Sequence, residues 1–544
     1  MASSSSSSSV RSWRTAFLTL RDETSSGAPA GTSVDQLVHN LIFANSHSLI
    51  SAASDLPPHE VTSDVLFLLE LVANVDACRY GEDITQTFTL TCHLIHGICV
   101  PRAVISPNAT TFKPVMECLE TIRRLTSVYQ GKFSPLENIQ LIKFLLHILE
   151  CFHPEFVDLY NSNANKSRST AENGNRFPRF TCLWEDHTLA FTMLAEAFSR
   201  AGSFFPFDIW QSTIEVLRKV MDVLASKSVL VEGSILSRFY SSLLNCLHLV
   251  LTDPKGSLSD HVSGFVAALK LFFIYGLNIR PQVKSPAVGN NMPDLLSHSL
   301  TLEEPKKKDK TPYRPPHLRK QDGLNIKRPK AQDSRISADH ESSTVDFTSS
   351  DSDYSDSDGS LKDPDSVQSS KVRVAAIVCL QDLCQADPKS FTSQWTILLP
   401  TNDVLRPRKF EATLMTCLLF DPYLKARMAS ASTLAAMMDG PSSIFLQVAE
   451  YKESSKYGSF MALSSSLGQI LMQLHDGIIY LIQRETHHRL LTSLFKILML
   501  LISCTPYSRM PGELLPTVIT SLRSRVEEGF PFKSDQNWPF GCCY

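Results

Sequence analysis

This chain of 544 residues lacks most of the signatures that would announce a chemistry. No apolar run reaches the ~18 residues that would span a bilayer. The nearest, Leu490–Cys504, is interrupted by Ser493 and Lys496. The serine run of Met1–Val10 has no apolar h-region behind it, which excludes a secretory signal there. There is no G-x-x-x-x-G-K-[ST] loop, no G-x-S-x-G elbow and no paired zinc knuckle. His487-His488 follows Glu485, but the His-Glu-x-x-His arrangement of zinc proteases is absent. An excess of one charge is missing as well: the net charge is -3, so nothing global draws the chain to nucleic acid or to a membrane surface. Strand-like alternation of any length is also lacking.

What is present is apolar and helical. Hydrophobic residues make up 43% of the chain, enough to bury a sizeable core, and the length suits several domains or one long solenoid. The 13 cysteines are an odd number, and many lie inside apolar helical runs, among them Cys246, Cys379, Cys417 and Cys504. Such use reads as reduced thiols inside a cell. Amphipathic helices are expected over Thr111–Tyr129, Leu136–Phe152, Thr188–Ala201, Ile209–Ser226, Ile235–Leu251 and His261–Leu277, with an exposed loop at Asn161–Arg179. The clearest start is Ser134-Pro135-Leu136-Glu137, with Pro at the first helical position. Cys92, His96 and Cys99 share a helical face, a spacing open to a metal, but core packing is the preferred reading. The fold class is all-α, with no cofactor and no metal expected.

One short pattern occurs twice. Arg373 is followed by Ala375 and Leu380, and Arg427 by Ala429 and Leu434. In both copies alanine stands two positions and leucine seven positions after the arginine. At 3.6 residues per turn the leucine returns near the arginine's side of the helix, while the small residues let a neighbour come close. That suits the inner helix of a two-helix repeat. Asp421, six residues before Arg427, is a candidate rung of an Asp–Arg ladder, whereas Val367 holds the matching place before Arg373.

Between the helical segments the composition changes. Residues 305–330 carry ten Lys/Arg against Asp309 and Asp322, a net of +8. Residues 333–365 carry ten Asp/Glu against Arg335 and Lys362, a net of -8. So long a stretch without periodicity reads as a disordered linker. The runs 306–310 and 327–330 suit nuclear import or a solvated charge run alike. Tyr313, Pro315, Pro316, His317, Leu318 and Arg319 form a polyproline-type linear motif, of a kind found in some RNA helicases.

The strings KVRVAAIVCLQDLCQADPKSF, FDPYLKARMASASTLAAMMDG and RLLTSLFKILMLLISCTPYSRM, with KTPYRPPHLRK and SSDSDYSDSDGS ahead of them, resemble the HEAT repeat-containing protein 6 family. That resemblance implies an armadillo-like solenoid that binds partners and has no catalytic residues. It also implies a longer protein, of which this chain is a truncated or alternatively spliced product.

The expected organisation is a disordered Ser-rich tail over 1–9, helical segments over 10–279 and 370–536, the linker over 280–369 and an atypical tail over 537–544. An organellar transit peptide is the less favoured reading of the Ser- and Arg-bearing N-terminus. The expected function is a non-enzymatic scaffold for protein partners in cytoplasm and/or nucleus. An importin-like transport adaptor and an RNA-associated factor acting through the basic block are the alternatives. No membrane association is expected, and nucleic acid is not the favoured partner.

Thr348, Ser350, Ser355 and Ser360 each have Asp three residues later, the pattern acidophilic kinases use. Each phosphate would add roughly -1.5 to -2 charge. Phosphopeptide mapping of protein from cells should find these sites occupied, and their consistent absence would remove the regulatory reading.

Overall fold

The computed structural model describes residues 100–277 and 364–529, apart from short internal stretches. The serine tail, the linear motif at 313–319, the four kinase sites, the Cys92/His96/Cys99 face and the tail over 537–544 all lie outside the described residues. Among the described residues the secondary structure is helical and contains no strand. They fall into two compact units, 100–275 with 364–387, and 388–529.

The first unit contains α1 (Val100–Ile105), α2 (Ala109–Val128), α3 (Pro135–Cys151), α4 (His153–Lys166), α5 (Thr181–Ala201), α6 (Phe207–Ala225), α7 (Ser234–Leu251) and α8 (Ser259–Leu271). A 3-10 turn, Phe272–Ile274, comes after α8, and α9 (Pro364–Ala386) completes the unit. Helices α5, α7 and α9 pack side by side in one row. Helices α3, α6 and α8 are linked through α6 in a second row against it. α3 begins at Pro135, which needs no amide partner there and has its φ preset for a helix. Its stripe Ile142, Leu145, Leu146, Leu149 and Phe152 is buried.

The chain leaves this unit after Tyr275 and re-enters it at α9, so the patterned helix of Arg373 packs on α7 and α8. α9 also begins inside the stretch read from composition as linker, and it spans the expected boundary at 370.

Two further departures from the sequence reading have one cause. α4 continues through residues expected to be loop, and α5 starts seven residues before Thr188. The polar run Glu185-Asp186-His187 conceals the helix, yet Asp186 and His187 are each 1% exposed.

His187 lies in an aromatic cluster. Its ring stacks on Phe156 at 4.9 Å, Phe156 meets Trp184 edge-on at 5.3 Å, and Trp184 meets Phe239 at 5.1 Å. The cluster continues through Tyr240 to Tyr275, 5.3 Å away. Packed rings of this kind contribute about 0.5–1.5 kcal/mol per pair beyond the area they bury. His187 donates through Nδ1–H to the carbonyl of Leu183 at 2.9 Å, since a carbonyl can only accept, and its Nε2 has no partner. Both carboxylate oxygens of Asp186 are likewise buried without a partner.

The second unit contains α10 (Pro388–Thr392), α11 (Trp395–Leu398), α12 (Leu414–Phe420), α13 (Leu424–Met438), α14 (Ser443–Leu446), α15 (Leu463–Arg484), α16 (His488–Cys504), a 3-10 turn at Tyr507–Arg509, and α17 (Leu514–Glu528). Helices α12, α15 and α17 form one row, while α13 and α16 lie side by side against it. The pairs α12–α13 and α15–α16 are each joined by three residues, the short connection of a helical hairpin. α15 runs unbroken from Leu463 to Arg484, and its glycines mark close approaches. A Cβ on Gly468 would stand 2.4 Å from the carbonyl oxygen of Glu450, and one on Gly477 would stand 2.3 Å from Met415 Cε. Backbone and side chain of neighbouring segments occupy the space that any larger residue would need.

The buried histidine contributes acid sensitivity to the first unit. Burial lowers the His187 pKa to about 4, from an ordinary value of 6.5. Between those values the unfolded chain takes up a proton that the folded chain refuses. Its contribution is therefore complete above pH 6.5 and is lost as pH falls toward 4, a change on the order of 3 kcal/mol. Burial raises the pKa of Asp186, which acts in the opposite sense by favouring the folded state as acid is added. Replacing His187 with Phe keeps the ring stack and deletes the titration. Thermal melts from pH 7 to pH 4 should then fall less steeply than those of wild type, and an unchanged slope would exonerate His187.

Candidate functional site

The residues that carry the repeated pattern are the ones the fold uses most heavily. In the first unit Arg373 is 1% exposed, and its Nη1 donates to the carbonyl of Tyr275 at 2.8 Å. Tyr275 is the residue that ends the 3-10 turn after α8, its own amide donating back to the Phe272 carbonyl at 3.0 Å, and its carbonyl lies among those that a helix end leaves without an amide of its own. The Tyr275 hydroxyl is hydrogen-bonded to Ser237 Oγ at 2.9 Å, which ties the same corner to α7. Ala375 and Leu380 are buried beside the arginine on α9.

In the second unit Arg427 repeats the device. Its Nε donates to the carbonyl of Leu418 at 3.1 Å, in the last turn of α12. Leu434, seven residues on, is buried, and Ala429 is half-buried. Each arginine therefore satisfies a carbonyl at the end of the helical segment that precedes its own helix in the structure.

Arg427 also takes a carboxylate. Its Nη2 pairs with Glu485 in a site where both side chains are nearly inaccessible. Asp421, the candidate rung, is the residue that ends α12, and its carboxylate accepts the amide of Tyr423 at 2.8 Å. Glu485 stands in the three-residue connection between α15 and α16. Its Oε1 accepts the backbone amides of Thr486 and His487, each at 2.9 Å. From α17, Arg525 donates Nη2 to the backbone carbonyl of Glu485 at 2.9 Å and Nη1 to that of Gln483 at 3.4 Å. One carboxylate thus joins α13 to the α15–α16 corner, and a second arginine fixes the corner from the other side.

The electrostatics result from this placement. Burial alone pushes the Glu485 carboxyl up, but the Arg427 charge and the amides of His487 and Thr486 outweigh it and hold it below the ordinary range. His487, whose Nδ1 accepts the amide of Leu490 as the N-cap of α16, is lowered by burial first and then by the charge of His488 beside it. The rings of His487 and His488 stack at 5.2 Å. Their roles are a cap and a surface stack. His475, on α15, is fully buried between the Leu471 carbonyl at 2.7 Å and the Tyr507 hydroxyl at 3.3 Å. Among the described residues no group of three or more His, Cys, Asp or Glu side chains is arranged to hold a metal. None of the described helices is long and apolar enough to cross a membrane. The described cysteines are free thiols, and burial raises the pKa of Cys246 and takes Cys384 to about 12.

Sequence reasoning did not find Glu485 or Arg525. Neither belongs to a recurring pattern, and only the packing of helices distant in sequence reveals what they bond.

These features define a helical chain whose buried ionic groups hold helix ends together. Residues 371–539 match the family described as Domain of unknown function (DUF4042), and the match begins inside α9. The chain is also similar to an uncharacterized protein of Dictyostelium discoideum, 23% identical over 193 residues, which cover 29% of this chain and 12% of the relative's length. No solved structure matches.

Removing one member of a buried ion pair leaves the other uncompensated, which costs about 3–5 kcal/mol. Glu485→Gln and Arg427→Met should each lower the urea midpoint strongly. The double variant should lose less than the sum of the two, and strict additivity in the double-mutant cycle would show that the pair is not coupled.

Proposed function

We propose that this chain is a non-enzymatic scaffold of HEAT or armadillo type, whose helical surfaces bind a protein partner. The observation that carries the reading is the shared use of Arg373 and Arg427. The same position of the same pattern caps a carbonyl in two separate units, as expected of repeats built to one plan. The paired rows of helices within each unit support it too. The resemblance to the HEAT repeat-containing protein 6 family belongs to the same proposal. The charged stretch over 305–365 tunes that docking through phosphorylation and, through 306–330, supplies nuclear as well as cytoplasmic residence.

A second reading rests on the net +8 of residues 305–330, an RNA-associated role through that block. The two separate by salt and by deletion. Full-length tagged protein and a variant lacking 305–365 should recover the same protein partner from cells, with nuclease treatment leaving the yield unchanged. Partners lost with the deletion, released by nuclease, or falling steeply as salt rises would overturn the scaffold reading in favour of the basic segment.

A further inference from the structure

Helix α17 is held on the second unit at few points. Three of its 15 residues are buried, Leu514, Val518 and Arg525, against 12 of 22 on α15 and seven of 17 on α16. The spacing of four and seven places all three on one face, toward α15, the helix on which α17 packs. Two apolar side chains are a small anchor, since a helix of this length is marginal without packing. Beyond Val518 the buried attachment is Arg525, whose Nη2 and Nη1 reach the carbonyls of Glu485 at 2.9 Å and Gln483 at 3.4 Å. One side chain thus ties the last two turns of α17 to the corner of the unit.

The turn that precedes α17 is fixed. The Arg509 carbonyl accepts the Tyr451 amide at 3.0 Å, and the Tyr507 hydroxyl meets the buried His475 at 3.3 Å. Between that anchored turn and the helix stand Pro511 and Gly512, and a Cβ at Gly512 would meet nothing within 4 Å. A joint of this kind, at the end of an element and with open space around it, is where a hinge absorbs backbone rotation. The corner that Arg525 reaches is also held without it. Arg427 pairs with Glu485 from α13, and Glu485 accepts the amides of Thr486 and His487. We propose that α17 is a strap, hinged at Pro511-Gly512 and latched by Arg525, that opens and closes as one piece while the rest of the second unit stays folded. Opening uncovers the Gln483 and Glu485 carbonyls and the part of α15 beneath Leu514 and Val518, so that surface is offered only when the latch releases. Regions held by few buried apolar contacts open locally in this way, without global unfolding.

Hydrogen exchange of the full 544-residue chain, read by mass spectrometry, tests this. Amides of Leu514–Glu528 should exchange about 100-fold faster than those of α15 and α16. Arg525→Met deletes both donors and should speed α17 by a further factor of about ten, with α13 and α16 unchanged. Val518→Ala, which trims the apolar anchor, should also speed α17 alone. Arg523→Met, the same change at an exposed arginine two residues away, should have no effect. The inference is overturned if α17 exchanges in step with α15 and α16, or if Arg525→Met and Val518→Ala both leave α17 unchanged. It is overturned equally if those two variants speed α13 and α16 as much as α17, or if Arg523→Met matches Arg525→Met.

Discussion

A helix ends with carbonyls that no amide of its own can reach, and both units of this protein answer that constraint with a buried guanidinium. The alternative, leaving such a carbonyl dry and unpaired, costs on the order of 1–3 kcal/mol. Arginine suits the task because its planar fork carries several donors at fixed angles and remains charged when buried. Arg373 meets the carbonyl of Tyr275, and Arg427 meets that of Leu418. The small and apolar residues next along each helix let the neighbouring helix approach closely enough for the reach to be short. Packing and polar satisfaction therefore depend on each other: without close helices the guanidinium stays wet, and without it the helix end stays unsatisfied.

The second unit adds a carboxylate to this arrangement. Glu485 compensates Arg427 and orders the two amides that lead into α16. An isolated buried ion pair is weak evidence of stability, because desolvation opposes the attraction. Here the same carboxylate also satisfies backbone amides, so its burial is not left to Coulomb attraction alone. The result fixes the angle of a helix corner. In that sense the ionic groups of this unit specify geometry more than they supply net stability.

How much of this was legible in the sequence depends on the range of the interaction. Helices such as α3, α6 and α7 declare themselves through period, and the Arg-x-Ala spacing pointed to both capping arginines. Local polarity is misleading where polar groups are buried. Asp186 and His187 look like loop residues yet lie inside the first unit. Glu485 and Arg525 carried no local signal, because their partners lie 58 and 40 residues away. The place of α9 was hidden for the same reason. Composition groups it with the helices after the charged stretch, whereas its packing groups it with those before.

That last assignment changes what the charged stretch is to the fold. Arg373 and Tyr275 bond across 98 residues of sequence, so the first unit is assembled from two separate lengths of chain, and the stretch between them is an insertion within it. The entropy of closing such a loop grows only with the logarithm of its length, and doubling it adds about 0.6 kcal/mol. Because the Arg373–Tyr275 bond already holds the two ends, the closure cost changes little with the number of residues inserted. Cleavage within it would leave two polypeptides that the α7–α9 packing still holds together.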